Sequence, residues 1–236
     1  MRRAARPEEA LPEGEEKVRA VRDMFDAIAP RYDLVNRVMT FRMDVGWRRR
    51  TVASLGLAPG SRVVDLAAGT GDLCRELRSR GLRPVGVDLS WGMLAHAATT
   101  APLVQSDALR LPFPDASVDG VTCGFALRNF VDLPAFFAES ARVLVPGGRM
   151  ALLEVAEPAN PVLRWGHSVY FGKVVPRIGG LLSDAAAYRY LPRSVAYLPP
   201  RPALLAQLRD AGFTAVERRP LSAGIAQLLT ATRARP

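Results

Sequence analysis

Cysteine is almost missing from this chain of 236 residues: only Cys74 and Cys123 occur, in no metal-like or redox spacing. That excludes a disulfide framework and a cysteine-built zinc site, and both thiols are expected as small buried residues. No apolar run approaches the ~18 residues a membrane-spanning helix needs. The start, Met1-Arg2-Arg3-Ala4-Ala5-Arg6-Pro7, runs into Glu8, Glu9 and Glu13 instead of an apolar signal region. A cytoplasmic protein is expected, at most peripheral to the inner face of a membrane. Lysine is scarce too, with Lys17 and Lys173 the only two among 32 basic residues. The net charge of +9 is therefore arginine charge, spread along the chain apart from Arg48-Arg49-Arg50. Such spreading describes a solvated surface, and no nucleic-acid partner is expected.

What the chain does have is Val63-Val64-Asp65-Leu66-Ala67-Ala68-Gly69-Thr70-Gly71-Asp72, followed by Val85-Gly86-Val87-Asp88. The order is a buried strand, a glycine turn opening a helix, and a second strand ending in an acid. Glycines let a ligand approach the backbone, and the later carboxylate accepts bonds from a ribose. The turn has neither the third glycine of a dinucleotide fingerprint nor a Gly-Lys-Ser/Thr phosphate grip. A nucleoside without phosphates suits it, and S-adenosyl-L-methionine is the common one. Asp65, Ala67, Gly69 and Gly71 are expected around its amino-acid end, Asp88 and the adjoining Leu89 at the ribose, and Asp107 with Ala108 at the adenine edge.

Strands and helices alternate around this unit. Residues 1–16 are polar and aperiodic and are expected to be disordered. Helical spacing follows from Val18 until Pro30, then over 34–39 and 45–55, closed by Gly56. Strands are expected at 62–66, 85–88, 103–105, 118–122 and 149–155, with helices at 72–80, 92–98 and 133–144 between them. After an apolar insertion at 161–182 come a helix at 202–211 and strands near 213–217 and 224–231. The pattern predicts a single α/β domain. It divides into a helical cap at 17–58, a nucleoside-binding core at 59–157, a lid and acceptor insertion at 158–195, and a C-terminal helix with strands at 196–236. The sheet is expected to be seven-stranded and mostly parallel, Rossmann-like, with right-handed crossovers and an antiparallel last strand. Its ligand belongs at the carboxyl ends of the strands, where Asp88, Asp107 and Gly124 emerge. The insertion is greasy but broken by Arg164, His167, Lys173, Pro176 and Arg177. It reads as a helical lid over an apolar pocket, resting on a membrane surface.

Further motifs carry a more specific likeness. Tyr32-Asp33-Leu34-Val35-Asn36 with Trp47, Gly124-Phe125-Ala126-Leu127-Arg128-Asn129, the run from Arg142 to Gly148 with Glu154, and Tyr188-Arg189-Tyr190-Leu191 resemble the ubiquinone/menaquinone biosynthesis C-methyltransferase family of class I methyltransferases. The likeness spans residues 18–230. It implies methylation of a ring carbon on a prenylated quinol, most simply demethylmenaquinol, with S-adenosyl-L-methionine as donor and homodimer formation open. Thr70, Asp88, Asp107 and Ala108 match the family's donor-binding positions, and Gly124 stands where the family has a serine. The family's Phe-Gly-Leu-Arg-Asn glycine is Ala126, its Ser-x-Gly is Thr40-Phe41-Arg42, and its late His-Arg-Gly is replaced by Ala226-Gln227-Leu228-Leu229-Thr230. These departures leave a smaller phenolic or polyketide acceptor, methylated on carbon or oxygen, as the alternative.

Methylation of carbon needs a ring made nucleophilic by loss of an ortho hydroxyl proton. Arg128 and Asn129 are placed to bind the developing phenolate or a water that takes its proton, although arginine itself stays charged. The competing role for Arg128 is an ion pair that fixes its loop. Tyr32 is expected as a gate over the donor, and the resemblance makes Tyr188, Arg189 and Tyr190 acceptor-pocket residues. His167, in the lid, is an acceptor-site and acid–base candidate, whereas His96 has the weaker claim of a helix histidine.

Overall fold

The computed structural model describes residues 13–182, 187, 190 and 193–235. Three helices come first: α1 (Gly14–Ile28), α2 (Tyr32–Met39) and α3 (Met43–Leu55). The disorder expected up to residue 16 stops short of that, because α1 already begins at Gly14; residues 1–12 lie outside the described residues. Two forces bring the start forward. Glu15 and Glu16 occupy the first turn, where the helix dipole favours acids. Lys17 turns inward, donates from Nζ to the Phe130 carbonyl at 2.9 Å and lies 3.6 Å over the Tyr197 ring.

The sheet contains β1 (Arg62–Leu66), β2 (Arg83–Asp88), β3 (Leu103–Gln105), β4 (Val118–Gly124), β5 (Leu144–Val155), β6 (Phe213–Leu221) and β7 (Ala226–Arg233). Their order is β3-β2-β1-β4-β5-β7-β6. β3 to β5 run parallel, and β7 is antiparallel to both neighbours. β1 is the point where the order reverses, so a crevice opens between its carboxyl end and that of β4. Between the strands lie α4 (Asp72–Ser79), α5 (Trp91–Ala95) and α6 (Leu133–Val143). After β5 comes α7 (Pro161–Val169), which passes through a π-helical turn, Tyr170–Val174, into α8 (Val175–Leu182); α9 (Arg201–Asp210) precedes β6.

Three apolar clusters follow from this layering. One unites β1, β4 and β5 with Phe136 and Phe137 of α6 and Leu204 and Leu208 of α9. A second, on the other side of the sheet, gathers Trp47 and Leu55 of α3 with Leu73 and Leu77 of α4. The third, built from Ile28, Val35, Met39, Met93 and Val175, joins α1 and α2 to α5 and α8. It is the only one of the three that brings the first helices and the inserted helices together.

Several element ends differ from the sequence expectation for tertiary reasons. α5 stops at Ala95, not residue 98, because the Ala98 N–H turns away to the Thr70 carbonyl at 3.1 Å. β5 starts at Leu144, which pairs with Val118 before residues 145–148 loop out and pairing resumes at Gly120 with Arg149. β6 extends to Leu221 because β7 pairs with it from Glu217 through Leu221.

The Thr40-Phe41-Arg42 departure has a backbone consequence. Phe41 and Arg42 hold φ of 49° and 61°, the left-handed region that glycine enters freely and other residues enter at ~1–2 kcal/mol. Arg42→Gly is expected to raise stability by about 1 kcal/mol, read as a higher urea midpoint at unchanged slope; an equal or lower midpoint contradicts strain at this turn.

Candidate active site

The crevice at the carboxyl ends of β1, β2 and β4 holds a cavity of about 110 Å³, walled by Ala67, Gly69, Asp88, Leu89, Asp107, Ala108 and Gly124. Two of its residues, Ala67 at φ 51° after β1 and Phe125 at φ 60° after β4, bend the backbone to open it. Gly69, at φ 56°, would direct a Cβ into open space with nothing within 4 Å. Asp88 accepts from the Gly69 N–H at 2.7 Å and from the Ser90 N–H at 2.8 Å, and burial pushes its carboxyl up from the ordinary value. Asp107 accepts from the Leu109 N–H at 2.9 Å, which fixes the turn that carries Ala108. A carboxylate at the end of β2, a side-chain-free approach at Gly69 and apolar walls such as Val87 and Met93 fit an adenosyl group. α1 covers the cavity with Val18, Val21 and Phe25 and is latched by Asp26, whose Oδ1 accepts from Ser90 Oγ at 2.5 Å and Gly92 N at 2.8 Å.

Three residues expected at the donor lie behind this surface and line neither cavity of the site. Asp65 is fully buried, accepting from Thr122 Oγ1 at 2.8 Å and from Cys74 Sγ at 3.5 Å; desolvation pushes it up to about 7. Thr70 donates to Asp33 Oδ1 at 2.5 Å and so ties the glycine turn to α2. Gly71, at φ 81°, packs against Thr99, whose Cγ2 is 2.7 Å from where a Cβ would stand. These residues shape the turn from beneath. At Gly124, where the family has a serine, a Cβ would come 3.0 Å from Leu73 Cδ1.

A second cavity of about 400 Å³ lies beside the first, enclosed by α1 to α3 and the α7–α8 insertion. Its walls are mostly apolar: Met24, Ile28, Met39, Trp47, Leu163 and Phe171 are representative. Phe25, Tyr32, Phe125 and Asn129 line both cavities, so the two spaces share one wall. Tyr32 is thus at the border between the two cavities, with its phenol pushed up mainly by burial. Asn129 Oδ1 accepts from the Tyr190 hydroxyl at 3.3 Å, and burial pushes that phenol up to about 12. Tyr188 and Arg189 lie outside the described residues.

Arg128 lines the larger cavity but is 4% exposed and firmly held. Its Nη1 donates to Glu154 Oε1 at 2.5 Å and to the Phe125 carbonyl at 2.7 Å, and its Nε donates to Ser194 Oγ at 3.0 Å. The loop-fixing ion pair weighed against phenolate binding is therefore what the geometry displays. His167 lines the larger cavity: its Nε2 is buried with no partner among the described residues, its ring is 4.4 Å from that of Phe171, and burial lowers its pKa. His96 is exposed, with Nδ1 2.8 Å from the Gly92 carbonyl oxygen. Cys74 and Cys123 are buried free thiols.

Sequence reasoning passed over Asp44 and Arg48, which line the larger cavity, and Phe125, which lines both. The signal for the first two was their spacing: 44, 48, 51 and 55 form the inward stripe of α3, with Thr51 and Leu55 fully or nearly fully buried.

The strand order, the lone antiparallel β7 and the nucleoside crevice after β1 define a class I methyltransferase fold. A solved SAM-dependent methyltransferase from Thermotoga maritima superimposes with a TM-score of 0.64 over 90% of this chain and 99% of that one, at 17% identity, a likeness of fold. The chain belongs to the ubiE/COQ5 methyltransferase family, whose model matches residues 13–233. It is 45% identical over 222 residues to a demethylmenaquinone methyltransferase from Deinococcus radiodurans, covering 90% of this chain and 92% of that protein. It is also 41% identical over 224 residues to the ubiquinone/menaquinone biosynthesis C-methyltransferase UbiE of Syntrophotalea carbinolica, covering 91% and 94%.

The raised carboxyl of Asp65 has a thermodynamic consequence. A folded-state pKa near 7 above the unfolded ~3.9 gives a contribution that is fully present below ~4 and lost as pH rises towards ~7. Asp65→Asn is expected to flatten the stability–pH curve across that window in urea titrations; an unchanged slope contradicts it.

Proposed function

We propose that this methyltransferase moves the methyl group of S-adenosyl-L-methionine to a ring carbon of a prenylated quinol, converting demethylmenaquinol to menaquinol. The observation that carries this is the wall shared by the two cavities, at Tyr32, Phe125 and Asn129. A polar nucleoside fits one side and an apolar ring with its tail fits the other, so the two reacting atoms meet where the cavities touch. The sulfonium supplies an electrophilic methyl when the donor is bound. The protein supplies position: aromatic walls orient the ring, the α7–α8 lid keeps water out, and the Asn129–Tyr190 pair presents polar atoms to the ring oxygens. Asp88 holds the ribose, with Asp107 and Ala108 at the adenine. Arg128, locked on Glu154, keeps the loop after β4 rigid and adds fixed positive potential near the developing phenolate.

The small-phenol alternative rested on the departures at Ala126, at Thr40-Phe41-Arg42 and, above all, in the late segment; of these, Thr40 and Phe41 do line the larger cavity. The late segment, Ala226 to Thr230, is buried within β7 and pairs with β5 and β6, so its change speaks to the sheet and not to the acceptor. Size favours the quinol as well, since a cavity of about 400 Å³ with mainly apolar walls suits a lipophilic ring and the first part of its tail. The assay is incubation with short-tailed demethylmenaquinol and methyl-labelled donor. Label on the naphthoquinol ring carbon is expected; label on oxygen, or label only on small phenols, contradicts the assignment.

We further propose that the mouth of this cavity rests on an anionic lipid surface, from which a prenylated substrate enters. No helix among the described residues is long and apolar enough to cross a membrane. Yet Phe41, Val162 and Trp165 are 72%, 75% and 70% exposed, and Phe41, Val162 and their neighbours line the acceptor cavity. Residues 158–182 also carry Arg164, Lys173 and Arg177 and no acid, a composition suited to an interfacial helix. Trp165→Ala, a change outside the cavity lining, is expected to lower co-sedimentation with phosphatidylglycerol vesicles several-fold while leaving turnover of a tail-less naphthoquinol within about twofold. Equal co-sedimentation of both proteins contradicts docking through this face.

A further inference from the structure

Quinol methylation, as proposed above, needs a group that takes a proton, and the residues at and beside the shared wall supply none: burial favours the neutral phenol of Tyr32. Arg128 is a cation bound to Glu154, and Asn129 and Tyr190 are neutral partners of each other. Glu154 is fully buried against Arg128, Asp65 is fully buried behind the turn, and neither lines the acceptor cavity. Among the described lining residues two groups able to take a proton remain: His167, whose ring packs on Phe171 in the lid, and Asp44, whose partner Arg48 reaches Phe125 at the shared wall. Asp44, 1% exposed, sits in the first turn of α3 and lines that cavity.

Its surroundings prepare it to act on a hydroxyl. Asp44 Oδ1 accepts from Thr40 Oγ1 at 2.8 Å, and Oδ2 accepts from Arg48. A carboxylate offers about four lone-pair directions, so these two contacts leave acceptor capacity. Arg48 leads to the shared wall: its guanidinium carbon is 5.7 Å from the centroid of the Phe125 ring. Arg37 adds positive charge from α2, and the acids beyond, Asp33 and Asp72, are engaged by Arg37, Arg48 and Arg75. A purely structural role would make Asp44 the i, i+4 partner of Arg48 and no more. Arg48 already has a carboxylate in Asp72 at 3.2 Å, and a second buried acid beside an apolar cavity is costly to desolvate.

We propose that Asp44 accepts the proton of the quinol hydroxyl ortho to the carbon that is methylated, with Thr40 and Arg48 as positioning residues. The O–H bond breaks, its proton passing to the Asp44 carboxylate and its electron pair staying on oxygen. That charge enters the ring, whose carbon forms the new C–C bond as the C–S bond breaks with its pair on sulfur. The carbon then loses its own proton to water, the ring regains its aromatic electrons, and Asp44 returns its proton to the oxygen. One proton is released for each methyl transferred.

The test measures turnover of short-tailed demethylmenaquinol by the wild type, Asp44→Asn and Asp44→Ala. Affinities for S-adenosylhomocysteine and for the oxidised quinone analogue are measured beside it. A wild type without turnover overturns the quinol assignment, and this inference with it. Given wild-type turnover, Asp44→Asn is expected to lose about 100-fold or more in kcat while both affinities stay within about threefold. Added formate is expected to restore turnover to Asp44→Ala, with more basic carboxylates restoring more. A kcat within about fivefold of wild type, or restoration indifferent to carboxylate basicity, overturns it. Should both variants fail to fold, Asp44→His decides: a limb of the kcat–pH profile displaced to the imidazole range supports the role, and an unchanged profile overturns it.

Discussion

The carboxylate of Asp72 is the interaction on which the site's two halves depend. It stands at the start of α4, directly after the glycine turn, and receives Arg37 of α2 at 2.9 Å, Arg48 of α3 at 3.2 Å and Arg75 of its own helix. Arg75 and Arg37 also reach Asp33, which accepts from Thr70 in the turn itself. The first helices are thereby fastened to the strand–turn–helix unit that lines the smaller cavity. Removing one member of such a partly buried network leaves charges without partners. The network's positional effect matters more: it sets α2 and α3, and hence Tyr32 and Asp44, against the carboxyl ends of β1 and β4.

A second buried pair does the same on the opposite wall. Arg128 and Glu154 join the loop after β4 to the end of β5, and through Ser194 to the segment behind the lid. Between these two anchored walls lies a cavity that is greasy, about 400 Å³ and closed above by α7 and α8. Methyl transfer from a sulfonium asks little covalent chemistry of a protein and much geometry. Rigid walls, few polar atoms and exclusion of water are the means this chain has for it.

How much of this was legible in the sequence depends on whether the cause was local. Arg62–Leu66 and Leu103–Gln105 were read to the residue because turn residues or a change in apolar pattern bound them on both sides. Ala67, Gly69, Asp88, Leu89, Asp107, Ala108 and Gly124 were placed at the crevice by a rule of open sheets that needs only strand order, and they line it. Asp65 at the end of β1 and Thr70 and Gly71 in the turn after it lie close by, but which way each faces is set by packing against Thr122, Asp33 and Thr99, which no local pattern shows. The Arg128–Glu154 pair joins positions 26 apart in sequence, and Asp44 shows its role only once α3 docks. The end of α5 and the start of β5 followed hydrogen bonds to distant partners, Thr70 and Val118, which no local pattern announces.

The central claim is that donor and acceptor meet across the wall formed by Tyr32, Phe125 and Asn129. A crystal structure with S-adenosylhomocysteine and a short-tailed menaquinol tests it most directly. The account predicts the adenosyl group against Asp88 and Asp107, the naphthoquinol ring in the apolar cavity, and the donor sulfur facing the methylated carbon at the wall, roughly a methyl group's reach away. A ring bound elsewhere, or a sulfur separated from it by an intact Tyr32–Phe125–Asn129 partition, would contradict it.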